Sequence, residues 1–227
     1  MAGRRRSRQL EFPAPRTWGG RRRGAGRKPR PGRRPGVPHR RRPLHVAAHP
    51  VHVTLRADPA VGCLRSGRVF PAVRRALGKS SRSEFRLVEF SVQRDHLHLI
   101  AEAEHGRALT NGIRGLAIRL ARAVNRVLGR RGRVVADRFH ARALTTPRAV
   151  RHALVYVLMN SRKHGVTGLA LDPCSSALWF SAWRVQQKQP MPGPGPVAAA
   201  RTWLLRVGWR RHGLIGVEER PRVVPRR

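Results

Sequence analysis

From His49 onward apolar and polar residues alternate, which predicts a strand over HPVHVTLRA. Val51, Val53 and Leu55 fall on one face and His52 and Thr54 on the other. A short helix is predicted near 68–78, with Pro71 in its first turn. FRLVEFSV (85–92) and HLHLIAE (96–102) read as strands, and the three residues Gln93-Arg94-Asp95 between them predict an antiparallel hairpin. Leu109, Ile113, Leu116, Leu120, Val124 and Val127 recur at helical spacing and predict a long helix over 107–129. VVADRFHARAL (134–144) reads as another strand. Thr146 is then placed to N-cap a helix with Pro147 in its first turn, closed by Gly165 after Lys163 and His164. Residues 166–189 show no regular pattern, PMPGPGP (190–196) reads as a linker, and 197–213 as a C-terminal helix.

The order β-α-β-β-α-β-α predicts an α+β fold: a ferredoxin-like antiparallel sheet with helices packed mainly on one side. Three regions follow. Residues 1–43 contain RRR three times and one acid, Glu11, and cannot bury enough apolar surface to offset their ordering entropy, so a disordered Arg-rich arm is expected there. Residues 44–180 form the expected folded domain, and 181–227 a Pro/Gly linker with a basic helix and tail.

Charge adds a partner. Lys and Arg number 49 against 11 Asp and Glu, a net charge of +38, which no globular fold requires and which points to a polyanion, nucleic acid first. Arg119, Arg122, Arg126 and Arg130 form a stripe on the long helix, fitting either a solvated flank or a phosphate-tracking face. Arg138 and Lys163 extend the candidate DNA contacts. Cys63 and Cys174 are far apart without CxxC spacing, implying neither a disulfide framework nor a zinc site and fitting a reducing compartment. No apolar run approaches 18 residues, so no membrane partner is expected. The N-terminus lacks the apolar core of a secretory signal, although an Arg-rich transit peptide has a similar composition.

The candidate chemistry lies in DHLHLI (95–100). On a strand His96 and His98 share a face, with side chains starting about 6–7 Å apart, close enough to converge on one ion. Alone, an HxH is more simply a half-buried strand with histidine on its polar face. On the helix after Pro147, Tyr156 is the single tyrosine of the chain and lies beside the core stripe, with Asn160 one turn on, its Cβ about 6 Å away, and Lys163 continuing the column. A tyrosine packed at the core edge is the plainer reading of Tyr156 alone. Together, two imidazoles and an amide oxygen can hold a divalent cation while a phenol attacks a phosphate.

These residues resemble the single-tyrosine HUH transposases, and most closely the REP-associated tyrosine transposases. HVT (52–54) resembles their first strand, DHLHLI their His–hydrophobic–His, ADRFHARAL (136–144) their late strand, YVLMNSRKHG (156–165) their Tyr-x-x-x-Asn helix, and Ser175-Ser176 their final motif. The likeness covers about 49–180. Arg94-Asp95 stands where family members often have Pro-Asn, and Ser161 where they have Pro. The resemblance implies a DNA strand-cleaving and rejoining enzyme acting on single-stranded, hairpin-forming DNA. Tyr156 would be the nucleophile, giving a 5′-phosphotyrosine link and a free 3′-hydroxyl, with His96, His98 and Asn160 holding Mg²⁺ or Mn²⁺. A bacterial, cytoplasmic, nucleoid-associated protein is then expected, with monomer and homodimer both open.

Two other enzyme classes fail on specifics. A cupin site would need glycines flanking the HxH and Glu102, and a two-histidine phosphoesterase would need a second HxT/S beside His52-Val53-Thr54. The alternative from another class is a domesticated, non-catalytic nucleic-acid-binding protein that keeps the same fold.

Overall fold

Alternation in the strands builds a sheet with one dry face and one polar face. The computed structural model describes residues 43–163, 171–185 and 194–221. Four antiparallel strands, β1 (Val51–Arg56), β2 (Phe85–Val92), β3 (His96–Ala103) and β4 (His140–Ala143), lie in the order β2-β3-β1-β4. This is the expected ferredoxin-like order. All but the last residue of the arm expected over 1–43, Gly165, and most of the 190–196 linker fall outside the described residues.

Helices α1 (Phe70–Gly78) and α2 (Gly106–Leu128) pack against one face. Val51, Val53 and Leu55 of β1 and Leu97, Leu99 and Ala101 of β3 meet Val73, Leu77, Ile113, Leu116 and Leu120 there. The approach is close. A Cβ at Gly112 would stand 2.2 Å from the Phe85 ring, so only glycine lets α2 lie on β2 at this height. The opposite face is covered by α3 (Pro147–Leu158), capped as expected by the Thr146 hydroxyl accepting from Ala149 N at 3.1 Å. Val150, Leu154, Val157 and Leu158 of α3 form a second core with Val88 and Ile100. A bulge between Leu87 and Glu89 sends Val88 and Glu89 together toward this side.

Three elements differ from the sequence reading. The strand expected over 134–144 is a ladder only at 140–143. Val135 makes a single bridge to Ala57, and between these pairings Asp137 turns the chain by accepting from Arg138 N. The helix from Pro147 breaks at Met159 (φ −108°, ψ 17°), and the chain resumes as α4 (Asn160–Lys163). The C-terminal helix expected over 197–213 shrinks to α5 (Trp203–Arg206) and a 3-10 turn at Gly208–His212. Its first residues are captured elsewhere. Ala198 N donates to Leu87 O on the edge of β2, and the buried Glu102 carboxylate accepts from Arg201 N, Thr202 N and the Thr202 hydroxyl at 2.8 Å each. Thr202 therefore N-caps α5, and Leu204, Leu205 and Trp209 join the core under α3.

The outer edge of β2 is also covered by residues 174–176. Val92 N donates to Cys174 O, and Ser91 bridges Ser175. A bidentate Arg65–Asp172 pair, 2.8 and 2.9 Å, ties this segment down. Among the described residues no helix is long and apolar enough to cross a membrane.

Candidate active site

The polar sheet face is assembled by register. Thr54 pairs with His98 on one side and His140 on the other, His52 sits between Ile100 and Arg142, and Arg56 pairs with His96. Directly paired residues point to the same face, so His52, Thr54, His96, His98, His140 and Arg142 share one surface. α3 lies over it and lowers Tyr156 onto the histidines. The Tyr156 ring meets His98 edge-on at 4.9 Å and His52 at 5.6 Å, with its hydroxyl 3.4 Å from His98 Nε2.

His96 and His98 converge as their spacing predicts: their Nε2 atoms stand 3.0 Å apart. Each ring is aimed through its other nitrogen. His96 Nδ1 donates to the Asp95 carboxylate at 2.6 Å, which leaves a lone pair on its Nε2. That hydrogen bond, more than the nearby charges, holds the Asp95 carboxyl below the usual aspartate range. His98 Nδ1 lies 3.2 Å from the Thr54 hydroxyl, which can donate or accept. With Thr54 donating, His98 Nε2 carries the proton and hydrogen-bonds His96. With Thr54 accepting, both Nε2 lone pairs face one point, as two ligands of a single ion do; nitrogens at ~2.1 Å from an ion and near right angles stand about 3 Å apart.

His52 differs. Its Nε2 is shut off from solvent without a hydrogen-bond partner, and burial, reinforced by the charges of His140 and Arg142, lowers its pKa to about 4. It is a neutral imidazole at ordinary pH.

Asn160 is fully buried, and neither its Oδ1 nor its Nδ2 has a hydrogen-bond partner. An orphaned buried amide is costly. It is what a side chain awaiting a cation would show, so the donor chemistry of His96, His98 and Asn160 fits a divalent ion. The helix breaks at Met159, just before Asn160, and no hydrogen bond joins Asn160 to the histidines. Among the described residues no group of three or more His, Cys, Asp or Glu could hold a metal.

The expected DNA contacts are not gathered at this face. Arg119, Arg122 and Arg126 ride on α2, across the sheet from Tyr156, while Arg130 falls just past the Gly129 C-cap and is partly spent on Arg133 O. Arg138 is exposed just before β4, and Lys163 closes α4. Sequence reasoning missed His52, Thr54, Asp95, His140 and Arg142 as parts of this surface. The signal was there in the period-two spacings His52-x-Thr54 and His140-x-Arg142, but without the register their faces cannot be matched to that of His98.

No family model matches the chain, and no curated protein does either. A solved structure does: the REP-associated tyrosine transposase bound to a REP hairpin, with TM-score 0.53 and 19% identity, over 73% of this chain and 96% of that one. The chain has that transposase's fold. The expected transposase-like architecture is thus matched over nearly the whole length of the transposase, and the aligned share is larger than the region 49–180 on which the motifs fall.

Proposed function

We propose that the chain is an HUH-type tyrosine transposase: a single-strand DNA endonuclease and strand transferase acting on hairpin-forming DNA. The observation that carries this is the convergence of His96 Nε2 and His98 Nε2 at 3.0 Å with the Tyr156 hydroxyl 3.4 Å from the latter. His96, His98 and Asn160 would hold Mg²⁺ or Mn²⁺, which when bound would draw electron density from the scissile phosphate. Asp95 and Thr54 orient the two imidazoles, and the half-buried Tyr156 ring, wedged against His98 and His52, presents its oxygen to the phosphorus. The Tyr156 Oη–P bond forms as the P–O3′ bond breaks, and the proton given up by the phenol balances the one gained by the 3′-oxygen. A 5′-phosphotyrosine retains the phosphoester bond energy, so rejoining needs no nucleotide cofactor. Arg142 on the same face, with Arg138 exposed just before β4, supplies positive charge for the strand. The fold neighbour's bound REP hairpin supports hairpin DNA as substrate, and such a protein would work at the nucleoid in the bacterial cytoplasm.

The test is Mn²⁺-dependent nicking of a hairpin with single-stranded flanks. His96→Ala and His98→Ala should each abolish nicking while leaving DNA affinity within about twofold, because positioning contacts go mainly to phosphates. Normal nicking by either variant refutes the assignment. Wild-type binding without any nicking would instead favour a non-catalytic DNA-binding protein.

A further inference from the structure

Trp183 and Trp209 are buried in the core under α3, but Trp203, at the start of α5, keeps 48% of its surface exposed. It rests on Gly208, where a Cβ would come within 2.6 Å of the indole, and the Arg211 guanidinium lies over the ring at 4.8 Å. Arg206, Arg210 and His212 are exposed on the same short segment, the Arg210 guanidinium 5.8 Å over the Trp209 ring, and Val207 is 50% exposed. The described part of this surface thus combines an accessible aromatic plane with a dense positive field and one exposed aliphatic side chain. Its neighbour Glu102 is consumed internally by Arg86, Arg201 and Thr202, so no carboxylate of β3 offsets the charge.

We propose that Trp203 and Arg211, with the exposed Arg206 and Arg210 of the same segment, form a binding platform for unpaired nucleotides of a DNA strand. The reading rests on DNA as the partner but not on catalysis. An indole offers its plane to any base, guanidinium planes stack on bases equally well, and the surrounding cations meet the phosphates; this is the chemistry of sequence-tolerant single-strand binding. A membrane or acidic protein would use the charge but has no need of a stacked indole held flat on a glycine. Because α5 and the 208–212 turn pack on α3, the platform lies on the same side of the sheet as Tyr156. It suits the single-stranded flank of a hairpin whose cleavage site is under α3.

The experiment measures binding of the full chain in EDTA, without cleavage, to a fluorescein-labelled single-stranded oligonucleotide and to the same sequence as a duplex. Trp203→Ala should weaken single-strand binding roughly tenfold, and Trp203→Phe should retain most of it, with duplex affinity changed less than twofold. Arg211→Ala should lower the salt slope on the single strand by about 0.7. A 5-iodouracil strand irradiated on the wild-type protein should cross-link to the tryptic peptide Thr202–Arg206, a readout that needs no folded variant. The proposal is overturned if that peptide is unmodified, or if Trp203→Ala lowers single-strand and duplex affinity equally. A cross-link at Trp203 in a protein that never forms a Tyr156 adduct would refute the transposase reading and leave the platform standing; an adduct without the cross-link would do the reverse.

Discussion

The two faces of one sheet divide the labour of this protein. Toward α1 and α2, β1 and β3 present Val51, Val53, Leu55, Leu97, Leu99 and Ala101, which have nothing to offer but area. Toward α3 the same strands present His52, Thr54, His96, His98 and Glu102, nearly all of them hydrogen-bonded. Alternate residues of a strand can therefore be assigned to stability and to chemistry independently, and a one-residue slip would exchange them. The polar face tolerates its burden because the dry face and the apolar cluster under α3 carry the fold.

The comparison can be broken from the dry side first. Leu99 is fully buried between β1, β2 and α2, and Leu99→Ala should lower unfolding free energy by about 2–5 kcal/mol in denaturant titration. His98→Ala, one residue away, should lower it by only about 1 kcal/mol while removing all nicking. Equal losses at 98 and 99 would contradict the division.

Glu89 sharpens it from the polar side. The carboxyl is fully buried, and burial raises its pKa to about 8 against the opposing hydrogen bond from the Ser176 hydroxyl. Between pH ~4.5 and 8 the native state keeps a proton that the unfolded chain has released, so stability falls as pH rises through that window. Glu89→Gln should then be more stable than wild type by about 4 kcal/mol near pH 8 and no different near pH 4, read from melts across pH. A constant difference at all pH values would mean that Glu89 is ionised in the fold.

The smallest effect concerns the arginines behind the sheet. Arg122 and Arg126 are exposed on α2, on the side away from Tyr156. If they touch phosphates, Arg122→Ala with Arg126→Ala should flatten the plot of log affinity against log salt by about 1.4 on single strands. The cleaved position should stay fixed, because Tyr156, the proposed nucleophile, lies on the opposite face. A shifted cut would place α2 in the cleavage site.

Much of this was legible in local sequence. Period-two alternation located β1, β2 and β3, helical spacing located α1 and α2, and Thr146-Pro147 marked the start of α3, since each depends on residues within a few positions of one another. What was not legible depends on distant partners. The alanine-rich 197–202 looks helical until Glu102, about a hundred residues earlier, takes the amides of Arg201 and Thr202. The pairing of His96 with His98 could be read from one strand, but the roles of Thr54, His52 and His140 follow only from the register of β1 with β3 and β4. Asp95 acquires a purpose only when its carboxylate is seen on His96 Nδ1.

The central claim is that Tyr156 is a nucleophile rather than a ring packed against histidines. Tyr156→Phe keeps that packing and removes one hydroxyl, so melting should shift by no more than about 1 kcal/mol. Wild-type protein incubated with 3′-labelled hairpin DNA and Mn²⁺ should yield a labelled band that survives boiling in detergent, joined through the 5′ end of the cut strand, and the Phe variant should yield none. A band of equal intensity from Tyr156→Phe, or cleavage by that variant without any adduct, would contradict the account.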